Sequence, residues 1–279
     1  MKILFTVLVV LIAVTLLYAL LIRGRVNTKG IEKLQGWFYA HRGLHDKPFV
    51  AENSMTAFRR AVAKGYGAEL DVHLLKDGGL AVIHDSTLKR TTGADGVVED
   101  LTTAELKNYR LEGSQDTIPT LQEVLDLFEN EAPLIIELKS AGGNAPQLTA
   151  AVCKVLESYR GIYCIESFDP RCLIWLKKNR PDIIRGQLSQ NFLKGTTRLG
   201  RLMDFALTYL LDNALTRPDF VAYKFADRKN LGNQICVHLW GMQGVSWTLT
   251  TQEQLEAALQ EGLLPIFERF EPEYFPKAE

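Results

Sequence analysis

Residues 67–85, GAELDVHLLKDGGLAVIHD, read as two strands around a turn. The turn is Lys76-Asp77-Gly78-Gly79, the residue types that reverse a chain between extended runs. Side chains alternate across a strand, so Leu70 and Val72 face one way while Glu69, Asp71 and His73 face the other. The same division recurs in residues 133–139, PLIIELK: Leu134, Ile136 and Leu138 on one face, Ile135, Glu137 and Lys139 on the other. In a closed barrel of strands the outer face packs on helices and the inner face lines the axis. Glu69, Asp71, Glu137 and Lys139 are therefore expected to point inward, near the carboxyl ends of their strands, where barrel enzymes carry their sites.

Around these segments, strand-like and helix-like runs alternate. Trp37-Phe38-Tyr39-Ala40 reads as a first strand, and Asn53 to Lys64 as a helix capped by Asn53 or Ser54 and stopped by Gly65. Further helices are read at Pro119 to Glu129, Pro146 to Tyr159, Leu199 to Leu215, Asn233 to Met242 and Gln252 to Gln260. Strands are read in IYCIESF, DIIRGQLS, FVAYKF, GVSWTLT and LPIFERF. Such alternation implies parallel strands with helical crossovers. About eight units in about 245 residues predict a (β/α)8 TIM barrel, with a small β-hairpin insertion after the second strand at about residues 85–118. No GxGxxG follows the first strand, which weakens a dinucleotide-binding alternative.

Residues 3–22, ILFTVLVVLIAVTLLYALLI, carry no charge over about twenty positions, enough to cross a bilayer as a helix. Arg23-Gly24-Arg25 follows rather than a small-residue cleavage site, so the segment reads as a single retained transmembrane anchor, not a signal peptide. The expected organisation is an anchor at 1–25, a polar linker at 26–36 and the barrel at 37–279. Lys2 precedes the segment and Arg23, Arg25, Lys29 and Lys33 follow it, which tilts the positive-inside argument toward a cytoplasmic catalytic domain, with an extracytoplasmic one left open. A net charge of −1 gives no basic footprint for nucleic acid. Cys153, Cys164, Cys172 and Cys236 lack metal or redox spacing and read as buried thiols.

Clustered inward carboxylates repel one another and need a counter-charge. An all-oxygen set of Glu69, Asp71 and Glu137 suits a hard divalent cation, Mg²⁺ or Ca²⁺; a salt-bridge network with Lys139 and Arg42 is the plainer alternative. His41 ends the first strand and His84 ends the second strand of the quoted hairpin. Two histidines beside a bound anion fit general acid–base catalysis, and Arg42 fits a clamp for phosphate oxygens. His45 and His73 are weaker candidates, and His238 lies in a helix pattern.

The segments HRG, ENSMTAF, GAELDVHLLKDGGLAVIHDSTLKRTTGADG, IPTLQEVL and IIELK, in that order, resemble the glycerophosphodiester phosphodiesterase family. The likeness runs from about Phe38 to Phe270 and implies a metal at Glu69, Asp71 and Glu137, with His41 and His84 catalytic. It also implies phosphate or metal-site contacts from Arg42 and Lys139, a site-lining role for Glu52, and Trp247 on the glycerol pocket. The implied reaction is hydrolysis of a glycerophosphodiester to glycerol 3-phosphate and an alcohol. One departure is notable: the family's last strand usually ends in an acidic ITDxP-type motif, and here it reads PIFERFEP, with Glu268 in the acid's place. Two other readings are carried: a phospholipase-type enzyme on membrane lipid (lysophospholipase D or phosphatidylinositol phospholipase C-like), and a membrane-anchored binding protein without catalysis. RLMDFALTYLLDNAL is apolar enough for a membrane-dipping lid or for an outer barrel helix.

Overall fold

The computed structural model describes residues 2–26, 28–195 and 200–273. An apolar helix, α1 (Lys2–Leu21), leads into a short 3₁₀ turn (Ile31–Leu34) and then β1 (Tyr39–His41), α2 (Met55–Ala63), β2 (Gly67–Leu74) and β3 (Leu80–Val82). After α3 (Lys89–Thr92) come α4 (Leu121–Phe128), β4 (Leu134–Leu138), α5 (Ala145–Leu156), β5 (Tyr163–Ser167), α6 (Pro170–Asn179) and β6 (Arg185–Ser189). The chain finishes with α7 (Arg201–Thr208), α8 (Asn213–Thr216), β7 (Phe220–Lys224), α9 (Leu231–Gln234), β8 (Gln243–Leu249), α10 (Gln252–Gln260) and β9 (Leu264–Phe267).

The strands follow one another in the order β1-β9-β8-β7-β6-β5-β4-β2, and β1 pairs with β2 to close the ring. All of these pairings are parallel, so the expected TIM barrel is the fold. Local chemistry sets the crossovers. Ser54 caps α2 through the Ala57 amide, Thr120 and Glu123 form a reciprocal capping box on α4, and Asp169 caps α6 ahead of Pro170. Leu70, Val72, Leu134, Ile136 and Leu138 pack outward against helix residues such as Phe58, Leu121, Leu148 and Leu173. Tyr39, Ile135, Cys164, Phe220 and Ile266 fill the axis below the site. There a β-carbon on Gly186 would lie 2.0 Å from the Phe220 ring, so only glycine fits.

β2 is long enough to rise above the rim and turn back as antiparallel β3. Ile83 N then donates to Asp71 O at 3.0 Å, which returns His84 to the level of the inward carboxylates.

Three expected secondary-structure elements change. Residues 85–118 do not form a β-hairpin. They carry α3, 3₁₀ turns at Val98–Asp100 and Thr103–Asn108, and only the isolated bridges Thr87↔Val97 and Arg110↔Thr117. Leu88, Val98, Leu101, Leu106, Leu111 and Ile118 give this segment its own small core. The long helix expected at Leu199 to Leu215 is broken, and Leu199 lies outside the described residues. Leu207 O and Thr208 O accept from Ser189 Oγ and Tyr223 OH, and Leu210 turns left-handed at φ 59°. The helix expected at Asn233 to Met242 instead runs from α9 into a π-helical turn at Ile235–Leu239.

The segment read as a linker is built into the barrel floor. Leu34 belongs to the axial core and its carbonyl accepts from Tyr39 OH at 2.8 Å. Thr28 bonds buried Asp219 at 2.5 Å, and Arg25, the last residue of the expected anchor, forms a two-pronged bridge to the same carboxylate, both contacts at 2.6 Å.

Candidate active site

Strand register assembles a row of acids at the carboxyl ends of neighbouring strands. His41 pairs with Glu69, Asp71 with Glu137, and Glu137 with Glu166. All four carboxylates are buried. Glu166 was missed as a candidate, yet its signal lay in the alternation of YCIES, where Cys164 and Glu166 share the inward face.

Two cations answer this row. Lys139 Nζ lies 2.7 Å from Glu137 and 3.1 Å from Asp71. Arg42 sits in a left-handed turn, φ 57°, which aims its amide at Glu69 Oε2 (3.1 Å) and its guanidinium at Glu52 (2.9 Å) and Asp71 (3.3 Å). Asn53, also left-handed, supports that turn through its amide to Arg42 O and its side chain to Asp71 Oδ2 at 2.8 Å. Glu52 accepts from Arg42, Lys47 and Arg90 at once, so it orders the cations around the site.

Fully ionised, this row of carboxylates would outnumber its cations. Burial pushes the Glu69 carboxyl well up, helped by Asp71 and Glu137. Burial also raises Glu137 and Glu166. Asp71 goes the other way: burial opposes its ionisation, but Lys139 and Arg42 outweigh burial and hold it low. Glu69, Asp71, Glu137 and Glu166 against Lys139 and Arg42 leave an excess of two carboxyls, and Glu69 Oε1 has no hydrogen-bond partner. Ligand oxygens of Glu69, Asp71 and Glu137 lie within 4.8 Å of one another. A divalent hard cation fits both the donor set and the missing charge.

Both candidate histidines are held at Nδ1 by a carboxylate. Glu268 Oε2 lies 2.8 Å from His41 Nδ1, and Asp85 Oδ1 lies 2.6 Å from His84 Nδ1. Burial disfavours ionised Glu268, but the hydrogen bond from His41 and the nearby His45 ring hold it low. For Asp85 too, Arg90 and His84 outweigh burial. An ionised carboxylate can only accept, so Nδ1 carries the proton in each ring and the neutral form keeps a lone pair on Nε2. Burial lowers both histidines; Glu268 opposes this at His41, and Asp71 does so at His84. Asp85 and Glu268 thus define orienting groups, of which only Glu268 stood out in the sequence.

The weaker candidates find supporting places. His73 bonds Glu99 at 2.6 Å and reaches His84 O at 3.1 Å, which fixes the backbone beneath His84. His45 is buried with Nε2 3.7 Å from Glu268. His41, His45 and Glu268 also lie close enough to hold an ion, but the His41–Glu268 hydrogen bond already accounts for that closeness.

Two spaces meet at His41 and Arg42. A recess of about 130 Å³ is bounded by Glu69, Glu137, Glu166, Phe168 and Trp247, with Trp247 stacked edge-on to Phe168 at 5.5 Å and bonded through Nε1 to Ala222 O. A wider cleft of about 680 Å³ opens beyond it, lined by Lys47, Glu52, Arg60, Arg90 and Arg269 among others. The sequence candidates His41, His84, Glu69, Asp71, Glu137, Arg42, Lys139, Glu52 and Trp247 all converge on this end of the barrel.

Residues 41–267 match the model of the glycerophosphoryl diester phosphodiesterase family. The chain belongs to this family. It is 32% identical over 235 residues to a glycerophosphodiester phosphodiesterase of Caldanaerobacter subterraneus, covering 80% of this chain and 90% of that protein. Human glycerophosphodiester phosphodiesterase 1 is 27% identical over 245 residues, covering 77% of this chain and 72% of its own length. Among solved structures, the Thermotoga maritima glycerophosphodiester phosphodiesterase superposes with a TM-score of 0.63 at 25% identity, covering 82% of this chain and 93% of that one. An Oleispira antarctica phosphodiesterase, solved in complex with the product sn-glycerol-3-phosphate, superposes with a TM-score of 0.66 at 24% identity, covering 83% and 92%. The matched family region spans the barrel from the last residue of β1 to the last residue of β9.

Proposed function

We propose that this family member hydrolyses glycerophosphodiesters to glycerol 3-phosphate and an alcohol, with His41 and His84 moving the protons. The observation that carries this reading is the pair of carboxylate-held histidines beside a buried acid–base cluster and an aromatic-walled recess. Trp247 and Phe168 form the apolar side of a pocket for the glycerol carbons. Arg42 and Lys139 meet the phosphate oxygens, and Glu52 keeps Arg42 aimed at them. Glu69, Asp71 and Glu137 would hold a divalent cation, which when bound supplies neutralisation of charge developing on the phosphoryl oxygens.

In the reaction one histidine takes a proton from the attacking hydroxyl as the new P–O bond forms. The other gives a proton to the departing alkoxide as the old P–O bond breaks. The attacking hydroxyl is that of water, or that of the substrate's own glycerol followed by water; either route consumes one water overall. Each neutral ring begins with its lone pair on Nε2, and the phosphodiester's negative charge favours protonation of whichever ring acts as the acid.

The test is release of glycerol 3-phosphate from glycerophosphocholine and glycerophosphoethanolamine by the full chain in detergent. Activity lost on chelation and restored by Mg²⁺, Ca²⁺ or Mn²⁺ is the expected result. Retention of every candidate residue speaks against a purely binding role; failure to cleave any diester with any metal would favour it.

We also infer that α1 is a retained membrane anchor. It is 20 residues long with a hydropathy of 2.9, and nearly all of it lies away from the barrel. Its end is not a free cleavage region: Ile22 is fully buried, and Arg217 reaches the carbonyls of Leu20 and Leu21. Arg23 lies over Trp240 and Arg25 binds Asp219, so these two cations have structural work that weakens their use as a signal of membrane side.

A further inference from the structure

We infer that the anchor helix holds the open end of the barrel against the bilayer, and that an apolar rim formed by α7 and α9 enters the lipid headgroup region beside the site. The inference rests on the reading of α1 as a membrane anchor.

The direction of α1 comes from its contacts. The chain after the helix lies at the amino-terminal end of the barrel, where Arg25 N bonds Pro218 O at 2.8 Å and the guanidinium reaches Pro181 O at 2.7 Å. Ile22 O is reached by Asn213 and Cys236 farther up the wall. Tyr18 OH bonds Tyr209 O at 3.0 Å. Tyr209 lies at the other end: the two residues before it bond Ser189, the last of β6, and Tyr223 near the end of β7. From Arg25 back to Tyr18, α1 therefore climbs the wall toward the face that carries His41, His84 and the carboxylates. Its exposed residues before Tyr18 extend about 25 Å farther at the ordinary helical rise.

The rim where the helix departs is apolar and uncovered. Leu202 is 83% exposed, Met203 48%, Phe205 46% and Leu231 59%. Phe205 stacks on Tyr209 at 4.6 Å, and Gly232, next to Leu231, packs on Tyr18 OH and Tyr209 O. These exposed side chains thus adjoin the point where the membrane helix leaves the protein. Arg201, next to Leu202, is exposed, and so is Lys224 at the carboxyl end of β7; both suit anionic headgroups. Phe192, on the loop before α7, packs edge-on against Phe168 of the recess at 6.1 Å, so the rim is one aromatic contact from the site. A bilayer is the occupant that fits an apolar, cation-flanked rim continuous with a membrane helix.

The test is depth-dependent quenching in vesicles of phosphatidylcholine and phosphatidylglycerol. The described cysteines are all buried, so a thiol-reactive fluorophore can be directed to Leu202→Cys, Phe205→Cys or Leu231→Cys in the full chain. Leu215→Cys and Leu239→Cys are the controls: 60% and 63% exposed, equally apolar, but next to the amino-terminal ends of β7 and β8. Quenching by nitroxide-labelled lipid several-fold stronger at the rim than at the controls is expected. Equal quenching, or stronger quenching at the controls, overturns the orientation. Failure of the chain to float with vesicles overturns the anchor on which it rests. Neither readout depends on turnover, and hydrolysis of soluble glycerophosphocholine by the same labelled proteins reports the proposed activity separately.

Discussion

Glu268 Oε2 lies 2.8 Å from His41 Nδ1, although 227 residues separate them. Parallel pairing of β1 with β9 closes the barrel and sets the residue after the last strand beside the last residue of the first. The altered end motif therefore keeps an acid where the catalytic-candidate histidine needs one. Glu268→Gln can still accept at Nδ1 but no longer favours the imidazolium. We expect kcat to fall by about 10²-fold, at the low end of the 10²–10⁴-fold expected for His41→Ala, with little further loss in the double variant. Steady-state kinetics on glycerophosphocholine checks this, and additive losses would separate Glu268 from His41.

Glu69 gives a prediction in which stability and activity move in opposite directions. Its pKa is raised by burial and then by Asp71 and Glu137, so the folded metal-free protein holds a proton that the unfolded chain releases. Stability is then lost as pH rises above the ordinary carboxyl range, because the ionised form is disfavoured only in the folded state. Glu69→Gln should raise the Tm of chelator-treated protein at pH 8, remove most of the Tm rise on adding Mg²⁺ or Ca²⁺, and lower kcat by about 10²–10³-fold. Differential scanning calorimetry with and without metal checks the first two effects; an unchanged metal response would take Glu69 out of the ligand set.

The parts of the site that sequence carries are those fixed by strand parity. Glu69, Asp71, Glu137 and Lys139 follow from period-two alternation, and the same rule covers Glu166, which was overlooked because no short motif marks it. Asp85 beside His84 was visible but carries no signal until the β2–β3 reversal fixes the ring. The α7 break is of another kind. It depends on Ser189 and Tyr223, distant in sequence, competing for carbonyls that a continuous helix would use. The segment 26–36 looked like a linker because its residues are polar; Thr28 on Asp219, 191 residues away, and Leu34 in the axial core turn it into structure.

Asp212 predicts a pH-dependent stability outside the catalytic cluster. Both carboxylate oxygens are sealed from water without partners of good hydrogen-bond geometry, and burial pushes its pKa up to about 7, only partly offset by nearby backbone amides. The folded state binds a proton that the unfolded chain has lost between the ordinary aspartate range and pH 7, so stability falls through that window as pH rises. Asp212→Asn removes this dependence. The difference in unfolding free energy between variant and parent should shift in the variant's favour by about 3–4 kcal/mol from pH 4 to pH 8, at 1.36 kcal/mol per pKa unit. Denaturant titrations at both pH values measure it, and a constant difference would show that Asp212 does not titrate in this range.

Arg25 tests whether the root of the anchor is part of the barrel. Its partner Asp219 is fully buried at the side chain and also accepts from Thr28 and the Arg185 amide. Removing the guanidinium leaves an uncompensated buried carboxylate, which costs about 3 kcal/mol and lowers Tm by about 6–12 °C in a chain of this size. Arg25→Lys should recover only part of the loss, because one ammonium cannot reproduce the two-pronged contact. A chain cut to begin at residue 26 should fare worse still, losing Ile22 from its closed pocket as well as Arg25. If that shortened chain melted at the temperature of the full one, residues 22–25 would be a tether rather than a structural part of the catalytic domain.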